Sequence, residues 1–295
     1  MTSPPFISII FPVHNGGIHP ARCLDTIAKL NYPKSKLEVI VVDNHSTDKS
    51  LKQLPSIFSK VEIISLNTNL GFARAINVAA ARAKGEYLFI GNDDLRFEPR
   101  SLSVLSNYLY HNPKVGVCGG AIFSLRVPHL LISTGYHMNR WTGNISPTLI
   151  IQKISQPDWI QGCALLTRKK LFDQVGGLDE GFEYFFEDYD YCVRVKKIGY
   201  QLASIPEAHF WHGESTTANK NRSLKYQKWY KAKFRFILKH LPWINVFSIV
   251  ILQYLLILPY RAIIRRDGRL EPLCSGTWWN ILHLPQTLLI RYANR

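Results

Sequence analysis

The order of short apolar segments and helix-like segments in the first 120 residues restricts the fold more than any other feature of this sequence. Each apolar segment is rich in β-branched residues, as expected for strands that helices cover on both faces. Repeated strand–helix units predict an α/β fold with a parallel, doubly wound sheet, in which ligands bind beyond the carboxyl ends of the strands. The predicted strands are 7–13, 37–43, 61–66, 87–90 and 115–119, the predicted helices are 20–30, 48–58, 72–84 and 99–110, and residues 121–157 are predicted to be loop-rich.

The positive charge of the chain is concentrated in its C-terminal third. Residues 213–295 contain 14 Lys and Arg against 3 Asp and Glu, whereas residues 1–212 contain 22 against 18. A basic segment of this kind binds phosphates, either of nucleic acid or of anionic lipid, or forms a solvated surface. The 46% content of hydrophobic residues is typical of a globular protein and excludes a disordered chain.

The five cysteines give no sign of a disulfide framework or a zinc site, because their number is odd and none forms a CxxC pair. We therefore expect reduced, buried thiols, as in a cytosolic protein. The N-terminal residues lead directly into the first predicted strand, and we expect no secretory signal there.

Polar groups follow two of the predicted strands. Asp43 ends the second strand, where its carboxylate could accept hydrogen bonds from a ribose or base, or could form an Asx turn or a helix cap. Asn92, Asp93 and Asp94 follow the fourth strand and offer hard oxygen ligands for Mg²⁺ or Mn²⁺, unless they form a solvated turn. Because side chains alternate along an extended segment, Asn92 and Asp94 are predicted to point to one side and Asp93 to the other.

A third group of acids lies among aromatic residues between positions 180 and 190. Like charges in such surroundings need compensation by cations or substrate, although a helix N-terminus also tolerates acids. One of these carboxylates could take a proton from an incoming hydroxyl. Two histidines follow, and each could be a metal ligand or an ordinary structural residue. These residues are Glu180, Glu183, Glu187, Asp188, Asp190, His209 and His212.

Six motifs in a fixed order resemble those of family 2 glycosyltransferases with the GT-A fold, in particular the rhamnosyltransferase-like and galactofuranosyltransferase-like branch. The resemblance extends from residue 6 to about residue 215 and implies a Rossmann-like, mostly parallel sheet flanked by helices. The motifs are PVHNGG (12–17), VVDNHSTD (41–48), NLGFARAIN (69–77), GEYLFIGNDDL (85–95), the segment from DWIQGCALL to VRVKKIGY (158–200) and IPEAHFWHGES (205–215).

The resemblance also implies roles for individual residues. Asp188, in the acid pair Glu187–Asp188, matches the general base, and Asp94 and His212 match ligands of a divalent cation, Mg²⁺ or Mn²⁺. His14 and Asn92 depart from the pattern, since many relatives carry Tyr and Asp there, and Asn92 removes one charge from the metal site. The residues that match donor-binding positions are Pro12, His14, Asp43, Asn69, Asn92 and Asp94, and those that match acceptor-binding positions are Trp159, Gln161 and Gly162.

The activity that the resemblance implies is inverting transfer of a sugar from a nucleotide diphosphate to a glycan or lipid-linked acceptor in cell-surface polysaccharide synthesis. The branch suggests rhamnose as the sugar. One alternative is a catalytically inactive relative that acts as a scaffold in polysaccharide assembly, and another is a nucleic-acid-binding protein that uses the basic C-terminal segment. The presence of Asp94, Asp188 and His212 favours the enzyme, and we expect no nucleic-acid partner.

The sequence predicts a catalytic domain over 1–222, with a nucleotide-sugar-binding half (1–120) and an acceptor-binding, catalytic half (121–222). A helical, membrane-associating segment is predicted over 223–295. Within it, residues 223–241 have the pattern of an amphipathic helix with one apolar stripe and one basic stripe.

The uncharged run 243–258 is the candidate for membrane contact. As a helix it would extend about 24 Å, which is less than the roughly 30 Å of the hydrocarbon core. Basic residues stand on both sides of the run, which favours an in-plane or hairpin anchor on anionic lipid at the cytoplasmic face over a full span. The alternative is a buried helix packed on the catalytic domain.

Overall fold

The computed structural model describes residues 3–213, 222–257, 260 and 270–293. These residues form two compact units. Unit 1 comprises Met1–His137, Pro147–Gly181 and Glu187–Glu214, and unit 2 comprises Met138–Ser146, Phe182–Phe186 and Ser215–Arg295, in each case as far as the chain is described. The predicted division between residues 222 and 223 stays a prediction.

Unit 1 is built around a mixed β-sheet. The strands of the chain are β1 (Ile7–Val13), β2 (Leu37–Asp43), β3 (Val61–Ser65), β4 (Tyr87–Gly91), β5 (Leu95–Phe97), β6 (Val115–Ser124), β7 (Leu131–Ser133), β8 (Tyr136–Met138), β9 (Ile145–Pro147), β10 (Ala164–Arg168) and β11 (Gln201–His212). The sheet has the order β3-β2-β1-β4-β10-β6-β11-β5, and β7 pairs with β6. Its first four strands are parallel, whereas β10 runs antiparallel to both of its neighbours.

Helices flank this sheet, which confirms the predicted α/β fold class. They are α1 (His19–Ala28), α2 (Leu54–Ile57), α3 (Gly71–Arg82), α4 (Ser101–His111), α5 (Lys169–Val175) and α6 (Glu187–Lys197). Helix α2 is much shorter than the predicted helix 48–58, because Asn15 and Asp48 hold residues 47–50 in turns through side-chain hydrogen bonds to the backbone. Residues 121–157, predicted to be loop-rich, contain the end of β6 and three strands of three residues each.

Side chains that alternate along each strand form one apolar core on each face of the sheet. In β1, Ile7, Ile9 and Phe11 enter the core formed with α1 and α4, whereas Ile10 enters the core formed with α3, α5 and α6. Each of these side chains is fully buried, which stabilises the fold by roughly 1.5–3 kcal/mol per residue. The two cores fix the position of each strand, and therefore also the position of the loops at the strand ends.

Unit 2 is mainly helical. It contains α7 (Arg222–His240), α8 (Trp243–Ile249), a π-helical segment (Val250–Ile257), α9 (Leu270–Leu282) and α10 (Leu284–Ala293). The apolar run 243–258 therefore forms α8 and the π-helical segment, as far as it is described. None of the helices in the described part of the chain combines the length and the apolar composition needed to cross a membrane.

The basic stripe predicted on the helix 223–241 is partly buried in unit 2. Arg235 and Lys239 are 5% and 4% exposed, and their charged groups lie 5.3 Å and 5.7 Å from the centre of the Phe182 ring. A cation is attracted to the negative face of an aromatic ring, and this attraction compensates part of the cost of burial. These two residues of the stripe are thus held inside unit 2.

Candidate active site

The carboxyl ends of β1 and β2 lie side by side, and both carry predicted donor-binding residues. Pro12 and Val13 of β1 pair in register with Val42 and Asp43 of β2, and β4 pairs with β1 on its other side. One carboxylate oxygen of Asp43 accepts a hydrogen bond from the Ser46 N–H at 2.8 Å. This bond to the N–H three residues further on orients the Asp43 carboxylate at the edge of the sheet.

The loops after β1 and β2 are tied to each other by side-chain hydrogen bonds. Oδ1 of Asn15 accepts from the backbone N–H groups of Thr47 (2.7 Å) and Asp48 (3.2 Å), and Oδ2 of Asp48 accepts from the Gly17 N–H (3.0 Å). Asn15 has a φ of 53°, a left-handed conformation that Asn tolerates better than most residues. Nδ1 of His14 lies 2.9 Å from the Asn44 carbonyl oxygen, which orients this imidazole.

Asn44 also holds the loop that precedes α3. Its Oδ1 accepts from the Leu70 N–H at 2.7 Å, and its Nδ2 donates to the Gly71 carbonyl at 3.1 Å. Within this loop, Asn69 accepts from the Gly71 N–H at 3.0 Å. The predicted donor-binding residues His14, Asp43 and Asn69 are therefore carried by three loops that hydrogen bonds hold at one edge of the sheet.

The predicted metal ligands come together although they are distant in the sequence. Nε2 of His212 lies 2.9 Å from the amide nitrogen of Asn92 and 3.2 Å from Oδ1 of Asp94. Asp94 is buried beside Gly213, where an added Cβ would lie 2.7 Å from its Oδ2. Asp93 lies instead against Gly16, in agreement with the predicted alternation of side chains.

The two neighbouring aspartates have opposite pKa shifts. Burial raises the pKa of Asp94, but the hydrogen bond and the positive charge of His212 outweigh it, so the pKa lies below its usual range. Burial and the charge of Asp94 raise the pKa of Asp93 to about 7. Asp94 is therefore the ionised carboxylate of this pair, as a metal ligand must be.

Asp94, His212 and Asn92 fit a divalent cation by their chemistry. They provide a carboxylate and an amide oxygen, the ligand types that Mg²⁺ and Mn²⁺ prefer, and an imidazole nitrogen, which binds transition-metal ions. Among the described residues, no three His, Cys, Asp or Glu side chains form a common metal site. A cation here would have Asp94, His212 and the Asn92 amide as protein ligands. Because these three do not fill its coordination sphere, the oxygens of a diphosphate would be needed to complete it.

Asp188, the predicted general base, is fixed at the start of α6. Its two carboxylate oxygens accept hydrogen bonds from the backbone N–H groups of Gly162 and Tyr189, each at 2.7 Å. Glu187 lies next to it and is equally buried, and its Oε2 has no hydrogen-bond partner among the described residues. Two N–H donors fix the orientation of the Asp188 carboxylate and leave lone pairs for a substrate hydroxyl.

The other three acids of this cluster are paired with cations. This pairing explains how they are tolerated among aromatic residues, and it leaves Glu187 and Asp188 as the candidates for chemistry. The pairs are Glu180–Arg74, Glu183–Lys231 and Asp190–Arg194, at distances of 2.7, 2.9 and 2.7 Å.

The predicted acceptor-binding residues lie beside Asp188. Trp159 is stacked between the rings of Tyr189 and Tyr136, with centroid distances of 4.9 Å and 4.8 Å. Gln161 accepts from the Ser133 hydroxyl at 2.9 Å and donates to the Tyr136 hydroxyl at 3.3 Å. An aromatic stack and a fixed amide are suited to contact the apolar face and the hydroxyls of a sugar.

The predicted metal ligand Asp94 and the predicted general base Asp188 both influence one buried thiol, that of Cys163. Residue Ala164 of β10 pairs with Gly91 of β4, which brings the segment before β10 next to residues 92–94. Burial raises the pKa of Cys163, and the charges of both Asp94 and Asp188 raise it further. Asp94 and Asp188 therefore both lie within electrostatic range of the Cys163 thiol.

The pKa values of Glu187 and Asp188 are both raised. For Glu187 the causes are burial and the charge of Asp188, and for Asp188 burial outweighs the hydrogen bonds from the backbone N–H groups of Gly162 and Tyr189. A carboxylate with a raised pKa is a stronger base than an exposed one, which is what proton removal from a hydroxyl requires.

Several residues of this site were not predicted from the sequence. Asn15 and Asn44 fix the loops, and Tyr136 supports both Trp159 and Gln161. The signal for the two asparagines was their position directly after predicted strands. Tyr136 lies in the segment predicted to be loop-rich, and its sequence context gives no signal of its role.

Comparison with known proteins assigns the chain to a family. A family model described as "Glycosyl transferase family 2" matches residues 8–176, which is more than half of the chain. The chain therefore belongs to glycosyltransferase family 2 and is a glycosyltransferase. It is 24% identical over 265 residues to an N-acetylglucosaminyl-diphospho-decaprenol L-rhamnosyltransferase of Mycobacterium tuberculosis, covering 80% of this chain and 86% of that protein.

Solved structures share the fold at lower sequence identity. The mannosyltransferase PcManGT of Pyrobaculum calidifontis in complex with GDP-Man and Mn²⁺ has a TM-score of 0.58 and 17% identity, covering 99% of this chain and 87% of that one. The S. aureus TarS fragment 1–349 in complex with UDP-GlcNAc has a TM-score of 0.59 and 17% identity, covering 89% and 74%. These likenesses confirm the GT-A fold.

The buried Glu187 generates a prediction about stability and pH. Its folded-state pKa is above the unfolded value, so its contribution to stability is complete below the unfolded pKa and is lost as the pH rises through the folded pKa. Without donor or metal, Glu187→Gln should therefore stabilise the protein at pH 8 by roughly 0.5–2 kcal/mol and much less at pH 4.5. Urea unfolding at both pH values measures this difference.

The control for this prediction is Glu180→Gln, because Glu180 is exposed and paired with Arg74. It should not stabilise the protein at either pH. If Glu187→Gln has the same effect at pH 4.5 and pH 8, Glu187 is not a buried acid with a raised pKa.

Proposed function

We propose that this glycosyltransferase moves a sugar from a nucleotide diphosphate donor to an acceptor hydroxyl in one inverting displacement, with Asp188 as the general base. The observation that carries this proposal is the geometry of Asp188. Two backbone N–H groups hold its carboxylate in a fixed orientation, and the Trp159 stack lies directly beside it. The likeness to family 2 enzymes supports the same assignment.

In the proposed reaction, Asp188 takes the proton of the acceptor hydroxyl while the hydroxyl oxygen attacks the anomeric carbon. The bond from that carbon to the diphosphate oxygen breaks, and the nucleotide diphosphate leaves on the opposite side. Trp159 and Gln161 orient the acceptor beside the donor. The two reactants are then held in one complex, which lowers the entropic cost of bringing them together. Attack from one face with one base gives inversion at the anomeric carbon.

A divalent cation is part of this proposal. Asp94 and His212, with the amide of Asn92, would hold Mg²⁺ or Mn²⁺ beside the donor diphosphate. When bound, the cation would neutralise the negative charge that develops on the leaving diphosphate. PcManGT and GalNAc-T7, which share the fold, have Mn²⁺ in their solved complexes, and this supports the proposed cofactor.

The proposed donor sugar is rhamnose and the proposed acceptor is a lipid-linked glycan, as part of cell-surface polysaccharide synthesis. The support is the mycobacterial relative, whose name describes rhamnosyl transfer to N-acetylglucosaminyl-diphospho-decaprenol. The two alternatives raised by the sequence, an inactive scaffold and a nucleic-acid-binding protein, find no support in the comparisons.

We further propose that unit 2 binds the surface of an anionic membrane at its cytoplasmic face, as a peripheral or monotopic anchor. Its support is a set of exposed apolar side chains together with the basic composition of residues 213–295. Ile244, Phe247 and Ile251 are spaced one helical turn apart and are 63%, 61% and 50% exposed. The basic residues Arg261, Arg265, Arg266 and Arg269 lie outside the described residues.

The first test of this function replaces the base. Asp188→Asn should reduce sugar transfer by roughly two to four orders of magnitude, because the amide cannot accept the proton, while donor binding is retained. Transfer of radiolabelled sugar and calorimetric titration with the donor measure the two quantities. The control is Asp173→Asn in α5, an exposed acid paired with Lys169. Transfer by Asp188→Asn near the wild-type rate would exclude Asp188 as the base.

A second test addresses the cation. His212→Ala should raise the Mn²⁺ concentration needed for half-maximal transfer by at least about tenfold, because one of the protein ligands is lost. The matched control is His209→Ala in the same strand, since His209 packs against the Phe123 ring at a centroid distance of 5.3 Å. An equal Mn²⁺ requirement in both variants would contradict the proposed site, as would full activity in the presence of a chelator.

A third test addresses the membrane. The double variant Ile244→Ser and Phe247→Ser should lower binding to vesicles that contain phosphatidylglycerol by at least about tenfold, because each buried side chain contributes roughly 1.5–3 kcal/mol. Vesicle flotation measures the bound fraction. Ile198→Ser is the control, since Ile198 is an exposed apolar residue of unit 1. A full-length protein that does not float with these vesicles would remove the anchor.

A further inference from the structure

Unit 2 contains a pocket whose lining combines cations, aromatic rings and amides. The pocket has a volume of about 300 Å³, which is at the lower end of the range for small-molecule sites. It lies between α7, the π-helical segment and the segment 138–146. The lining residues are Asn144, Lys225, Tyr226, Trp229, Tyr230, Lys233, Gln253 and Ile257.

The positive charge of the pocket comes from one face of α7. Lys225, Trp229 and Lys233 follow each other at intervals of four residues, so their side chains lie on the same side of the helix. Lys233 is 5% exposed, and its Nζ lies 4.9 Å from the centre of the Trp229 ring and 3.5 Å from Oε1 of Gln253. These contacts hold the Lys233 ammonium group at the wall of the pocket.

Negative charge is scarce in this unit. The described residues of unit 2 include two carboxylates, Glu183 and Glu271, and neither lines the pocket. Glu183 is already paired with Lys231 at 2.9 Å. Among the described residues, the lining of the pocket supplies two ammonium groups and no carboxylate, which suits an anionic ligand with several oxygen acceptors, such as a phosphate or diphosphate.

The remaining walls of the pocket are suited to an apolar group. The rings of Tyr226, Trp229 and Tyr230 and the side chain of Ile257 provide apolar surface next to the two lysines. On the same π-helical segment as Ile257, the side chain of Leu256 is exposed. A ligand with a charged head and a hydrocarbon tail would therefore find apolar surface both inside the pocket and outside it.

The amide groups of the pocket are fixed in place. Nε2 of Gln253 donates to the Thr142 carbonyl at 2.7 Å and to Oδ1 of Asn144 at 3.2 Å. These bonds link the π-helical segment to residues 138–146 and fix this side of the pocket. The pocket is thus formed in advance, which lowers the entropy that binding must overcome.

We propose that this pocket binds the diphosphate group and the first isoprene units of a prenyl diphosphate, the lipid part of the acceptor. The proposal rests on the proposed function, since it assigns a place to the carrier lipid of a lipid-linked acceptor. Lys225 and Lys233 bind the diphosphate oxygens, and the aromatic rings and Ile257 contact the hydrocarbon chain.

The test uses the full-length protein and farnesyl diphosphate as a soluble probe. Titration is followed by tryptophan fluorescence, because Trp229 lines the pocket, and by calorimetry. We expect farnesyl diphosphate to bind at least about tenfold more tightly than farnesol or inorganic diphosphate, since each of these lacks half of the contacts. Binding of UDP in competition with farnesyl diphosphate would overturn the proposal.

Matched substitutions locate the site. Lys225→Gln should weaken binding of farnesyl diphosphate about tenfold, the usual effect of losing one charge-assisted hydrogen bond. Lys225 is half-buried, and thermal unfolding checks that the variant is folded. Lys228→Gln is the control on the same helix, because Lys228 lies 5.0 Å from the centre of the Tyr184 ring and does not line the pocket. Equal affinities of both variants and the wild type would overturn the proposal.

Three further results distinguish a prenyl diphosphate from a phospholipid headgroup, and distinguish failure of the pocket proposal from failure of the proposed function. If vesicles of phosphatidylglycerol bind in a manner that depends on Lys225 while farnesyl diphosphate does not bind, the pocket takes a phospholipid headgroup and the proposal is wrong. If Lys225→Gln leaves the KM for a prenyl-diphosphate-linked acceptor unchanged, the pocket proposal fails and the proposed function stands. If farnesyl diphosphate binds through Lys225 but no acceptor receives a sugar, the pocket proposal is supported and the proposed function fails.

Discussion

Keeping ionised carboxylates in surroundings with little water is the constraint on which the rest of this active site depends. Removing a charged group from water costs several kcal/mol unless hydrogen bonds or opposite charges compensate it. Around α6, Asp190 is compensated by Arg194, and Asp188 by the backbone N–H groups of Gly162 and Tyr189. The uncompensated part of this cost appears as the raised pKa of Asp188, which is the property that a general base requires.

Much of the fold was predictable because its first strands are apolar and β-branched over their whole length. The predicted strands 7–13 and 37–43 coincide with β1 and β2. The antiparallel direction of β10 was not predictable. A long connection separates β10 from β4 and β6, and the sequence of a strand does not indicate whether it pairs parallel or antiparallel with such distant neighbours. Helix α2 was predicted too long, because hydrogen bonds from the distant Asn15 stop residues 47 and 48 from continuing as a helix.

The candidate site was predictable where its residues stand at strand ends or match a motif. Asp43 and Asp94 follow strands, whereas Asp188 and His212 were identified through the resemblance to family 2 enzymes. Asn15 escaped prediction because its side chain bonds a loop 32 residues away, and a sequence pattern does not contain such a contact. The burial of Lys239 was not predictable for the same reason. The helical pattern placed Lys239 in a basic stripe, but the ring that it contacts, Phe182, lies in another segment of the chain.

The contact between Asn92 and His212 joins positions 120 residues apart, and this separation has a consequence for the order of folding. The loops after β1 and β2 close over about 30 residues, whereas β11 must find β6 across a much longer connection, which costs more chain entropy. We therefore expect the sheet edge that carries His14 and Asp43 to form early and the contact between Asn92 and His212 to form last. The proposed cation would bind only this late contact. It would therefore slow unfolding and leave the folding rate unchanged, and during synthesis on the ribosome it would act only after residue 212 has emerged.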